Sequence, residues 1–85
     1  MHIDPIGSRG DMDGRQIQAA RVLLGWSQSQ TANAAGVSIP TVKRAEGAGQ
    51  TKASADAVAA IVAALEEAGV EFIPKNGGGA GVRLK

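Results

Sequence analysis

Catalysis needs a nucleophile, a proton carrier or a metal ligand, and this sequence offers few of them. It has no Cys, and its single His is His2. A disulfide framework, a thiolate nucleophile and a Cys-based metal site are excluded, and a His general base or His-ligated metal is not expected. Glu66 and Glu67 are adjacent. On a helix they point in different directions and cannot form a facing acid–base pair. The run Gly77-Gly78-Gly79 lacks the Lys-Ser/Thr ending and the following helix of a phosphate loop, so it is expected to be a flexible turn. The expectation is a non-enzyme with no catalytic residues, no metal and no cofactor.

The remaining chemistry is that of charge. The net charge is only +1, but it is unevenly spread. Residues 15–52 carry Arg15, Arg21, Lys43, Arg44 and Lys52 against Glu46, whereas residues 53–74 carry Asp56, Glu66, Glu67 and Glu71 with no cation. A basic block beside an acidic one suits a protein that turns one face toward an anion. The cations of greatest interest are the neighbours Lys43 and Arg44, which follow Ser38, Ile39, Pro40 and Thr41.

The elements that must position them can be read from caps and periods. At 85 residues the chain is expected to be one small domain, or one domain plus tails. Trp26 and Phe72 are the only aromatics, so Ala, Val, Leu and Ile must build the core. Residues 1–12 have no apolar period and are expected to be a disordered arm; a natural start at Met12 would make the first eleven a non-native remnant. Asp13 with Gln16 has the capping-box spacing for a first helix, and Ile17, Ala20 and Leu24 form its inward stripe, with Leu23 expected to widen it. Ser27 with Gln30 repeats the box for a second helix, which stops at Gly36. Ser38 caps a third, in whose first turn Pro40 is tolerated. Val42 and Ala45 then face inward and leave Thr41, Lys43 and Arg44 outside. Ser54 caps a fourth helix with the clearest stripe, Val58, Ile61, Val62 and Leu65. Val70 to Ile73 and Val82 to Leu84 then alternate, which predicts a hairpin across a long glycine loop. A lone two-stranded hairpin is marginal in water, so it must lie on the helices or pair with a second chain.

Two short helices joined by a tight turn through Gly36, with the second presenting its polar side outward, have the geometry to enter a DNA major groove. From about Ile17 to Leu65 the sequence resembles the Cro/C1-type, or XRE, helix-turn-helix family, through LGWSQ (24–28), AGVS (35–38) and TVKRAEG (41–47). The stretch GVEFIPKNGGGAGVRL (69–84) also resembles the hairpin tail of small alphaproteobacterial regulators of that family. The resemblance implies a mainly α fold: a lambda-repressor-like domain of four to five helices over residues 13–69, followed by a short C-terminal β-hairpin over 70–85 that could serve as a dimer contact. It implies a sequence-specific transcriptional regulator that binds double-stranded DNA as a homodimer, with helix 38–46 in the major groove. In that resemblance Gln28 bonds a DNA phosphate, Ser38, Ile39, Pro40 and Thr41 meet the groove, Lys43 finds a phosphate and Arg44 reaches a base. Arg21 and Glu46 match a structural ion pair. Trp26 is expected in the core between the first two helices.

Ile39 and Pro40 stand where many relatives carry polar base readers; they can touch thymine methyl groups but donate no side-chain hydrogen bond. An apolar-tipped helix also suits a protein groove. The alternative is therefore an antiactivator or antitoxin-like module that sequesters another transcriptional regulator on the same scaffold. No apolar run is long enough to span a bilayer and no signal segment opens the sequence, so no membrane partner and a cytoplasmic location are expected.

Overall fold

A computed structural model describes residues 13–49, 52–73 and 79–85. The expected N-terminal arm and most of the glycine loop lie outside these residues. Four helices run in order: α1 (Gly14–Leu23), α2 (Gln28–Ala35), α3 (Ile39–Ala45) and α4 (Ala55–Glu67). Two strands follow, β1 (Val70–Ile73) and β2 (Gly81–Leu84).

Local chemistry fixes the helix starts. The Asp13 and Ser27 side chains each accept from the backbone N–H three residues into the helix, while Gln16 and Gln30 reach back to the cap's own N–H. Ser38 caps α3 by accepting from the Thr41 N–H, and Pro40 occupies its first turn. Ser54 accepts from the Ala57 N–H at the start of α4, where Asp56 faces the positive end of the helix dipole. The turn between α2 and α3 closes at Gly36, whose φ of 72° lies in the left-handed region that a side chain would resist.

The core is aliphatic except for Phe72. Ile17 and Ala20 of α1, Ala32 of α2 and Val42 of α3 meet Val58, Ile61, Val62 and Leu65 of α4, and Val70 and Phe72 close one side. Each fully buried Ile, Leu or Val contributes roughly 1.5–3 kcal/mol of transfer free energy. Trp26 packs half-buried against this cluster.

One expectation fails. Leu23, expected on the inward stripe of α1, is 44% exposed. At 100° per residue it lies about 120° around the helix from Ile17, whereas Leu24 lies within about 20°. Leu24, the C-cap of α1, is the residue that packs on the core.

The hairpin lies on the helices. β1 and β2 are antiparallel, with Val70 opposite Leu84 and Phe72 opposite Val82. The pair packs across α1 and α4, burying Val70 and Phe72. The Gln16 amide ties this layer to α1: its Nε2 donates to the carbonyls of Ile73 and Gly81, each at 3.2 Å. The same side chain accepts from the Asp13 N–H at 3.0 Å, so one buried amide both caps α1 and clasps the hairpin at its loop end.

Candidate nucleic-acid interface

The candidate surface is the outer side of α3. Val42 and Ala45 are buried, and Lys43 and Arg44 between them are exposed. Helical geometry requires this: when 42 and 45 turn inward, 43 and 44 must turn outward. Among the described residues neither cation joins an ion pair. Both lie in the last turn of α3, where the helix dipole favours positive charge.

The opening of the same helix is less free. Ser38 Oγ and Thr41 Oγ1 are 2.7 Å apart and share a hydrogen bond, and Thr41 is half-buried. Ile39 is 40% exposed and Pro40 is exposed beside it. The surface therefore runs from an apolar tip, past two paired hydroxyls, to two unpaired cations.

α3 has only seven residues, too few to be stable alone, so its direction depends on what holds it. Arg21 of α1 forms a two-pronged pair with Glu46, the residue that ends α3: Nε donates to Oε2 at 2.7 Å and Nη2 to Oε1 at 3.0 Å. The remaining guanidinium nitrogen, Nη1, donates to the Trp26 carbonyl at 3.0 Å. The side chains are 14% and 5% exposed. The hydrogen bonds that Arg21 donates to Glu46 raise its pKa above the ordinary value, outweighing the opposing effect of burial, and the negative charge of Glu46 adds to the rise. The guanidinium thus stays charged throughout any ordinary pH range.

Gln28, at the start of α2, is half-buried, and its Nε2 donates to Glu46 Oε1 at 3.2 Å. The structure thus brings together Arg21, Glu46 and Gln28, and sets Lys43 and Arg44 apart on the open face. The Gln28–Glu46 contact spans 18 residues, and nothing in its local spacing announces it.

A family model for a helix-turn-helix domain matches residues 14–72, from the start of α1 to Phe72 in β1. The chain belongs to the helix-turn-helix domain family. A search of curated proteins gives no match.

Within this helix-turn-helix domain Gly14 is a further residue that sequence reasoning missed. A Cβ there would stand 2.7 Å from the Ala45 carbonyl oxygen and 2.9 Å from that of Glu46. The first turn of α1 therefore packs backbone to backbone against the end of α3. The signal in the sequence was a glycine at the first position of a helix, where its low helix propensity calls for a separate reason. Among the described residues no group of three or more His, Cys, Asp or Glu side chains could hold a metal, and no helix is long and apolar enough to cross a membrane.

Proposed function

We propose that this helix-turn-helix domain is a sequence-specific, Cro/C1-type transcriptional regulator, acting in the bacterial cytoplasm as a homodimer on double-stranded DNA. The observation that carries the reading is α3, which exposes Lys43 and Arg44 while Val42, Ala45 and the Arg21–Glu46 pair hold its other side. Arg44 can offer a two-pronged contact to guanine O6 and N7, worth about 1–3 kcal/mol of discrimination. Lys43 and Gln28 suit phosphates, which set affinity rather than sequence choice, and the charged Lys43 also adds to the salt dependence. Ile39 and Pro40 suit the methyl of thymine. The role is binding rather than catalysis.

The hairpin supports the dimer. Its sheet has only two strands, each with an outer edge, and Leu84 at the end of β2 is 52% exposed. Two copies would set their α3 helices in successive major grooves about 34 Å apart. Selection of duplexes from a random pool tests this. The expected product is a near-palindrome with half-sites one helical turn apart, bound less tightly as salt rises; failure to bind any duplex at low salt contradicts it.

The exposed Ile39–Pro40 tip favours a second reading, a module that docks into a groove of another regulator. That role predicts a stable complex with a regulator that survives high salt, without any DNA shift.

A further inference from the structure

The Gln28 amide joins the proposed DNA surface to the buried ion pair. A carboxylate only accepts hydrogen bonds, so the 3.2 Å contact with Glu46 Oε1 requires the nitrogen end of the amide to face Glu46. Glu46 cannot turn away, because Arg21 grips both of its oxygens, at 2.7 and 3.0 Å. Arg21 is held in turn by the Trp26 carbonyl at 3.0 Å. The second N–H of Gln28 therefore leaves the first turn of α2 in a fixed direction. Arg21 also cancels the charge of Glu46, which would otherwise repel a phosphate nearby.

We propose that Glu46, locked by Arg21, is a positioning residue that aims the Gln28 amide at a DNA phosphate. The ion pair is then part of the phosphate clamp as well as a staple between α1 and α3. This role rests on the DNA-binding reading and extends it to two residues that need not touch DNA.

The test is a double-mutant cycle in the full chain, with a labelled duplex enriched from a random pool and titrated with salt. In the wild-type background Gln28→Ala is expected to weaken binding severalfold at every salt concentration and to leave the slope of log K against log salt unchanged, because a neutral amide releases no counterion. In a Glu46→Gln background Gln28→Ala should not weaken binding. There, one carbonyl oxygen must serve the three donors that the carboxylate now satisfies, and the amide loses its fixed direction. Arg21→Lys keeps the charge but not the fork, and Gln28→Ala should again be silent in it. This second background serves if Glu46→Gln does not fold, with melting curves reporting on both. An equal effect of Gln28→Ala in all backgrounds, or none in the wild type, overturns the role alone. No duplex binding by the wild type at low salt overturns the DNA reading and this role with it.

Discussion

Helix α1 is fastened to two parts of the molecule, and the two fastenings differ in kind. Toward α3 it offers a buried, two-pronged ion pair and a bare glycine backbone, both at the Ala45–Glu46 end. Toward the hairpin it offers the neutral Gln16 amide, while the ion pair on the hairpin itself, Glu71 with Arg83, stands in solvent with side chains 45% and 65% exposed. The hairpin rests mainly on non-directional burial of Val70 and Phe72. α3 is directed by contacts with fixed geometry. A helix that must present two side chains to a groove has to point one way, whereas a hairpin that covers a core need only stay down.

The largest effect is expected at the charged fastening. Arg21→Ala leaves Glu46 buried without its partner and should cost about 3–5 kcal/mol in denaturant unfolding. A loss no greater than that of removing Arg83 would break the comparison. Gly14→Ala comes next, at about 1–3 kcal/mol, because the new methyl group meets backbone that must shift. Chemical-shift changes after this substitution should centre on Ala45 and Glu46, at the end of α3. Changes centred on the hairpin would contradict the assignment. Gln16→Ala should cost about 1–3 kcal/mol by stranding hairpin carbonyls and the α1 cap. Hydrogen exchange should then quicken in the hairpin more than in α3, which sharpens the contrast between the two fastenings. The smallest effect belongs to Arg83→Ala, at under about 1 kcal/mol for an exposed pair, read from the same unfolding curves.

Much of the fold was legible because its signals are local. The Asp13–Gln16 and Ser27–Gln30 boxes, the stop at Gly36 and the α4 stripe each need only a few consecutive residues, and each forms. Leu23 departs from its expected place because its apolar character says nothing of its angle on the helix, about 120° from Ile17. The candidate surface was partly legible: the alternation of Val42 and Ala45 with Lys43 and Arg44 says which side of α3 is open. The contacts that aim it were harder to read. Gly14 meets Glu46, Gln28 meets Glu46, and Gln16 meets Ile73 57 residues away. Such contacts depend on how helices cross, which capping and periodicity do not encode.

The most direct test of the central claim is duplex binding by a Lys43→Ala/Arg44→Ala variant. Both side chains are exposed, so the melting curve should match that of the wild type. Binding to a duplex enriched by the wild type should fall at least tenfold, with a shallower dependence on salt. A variant that melts like the wild type and still binds that duplex as tightly would show that α3 is not the element that meets DNA.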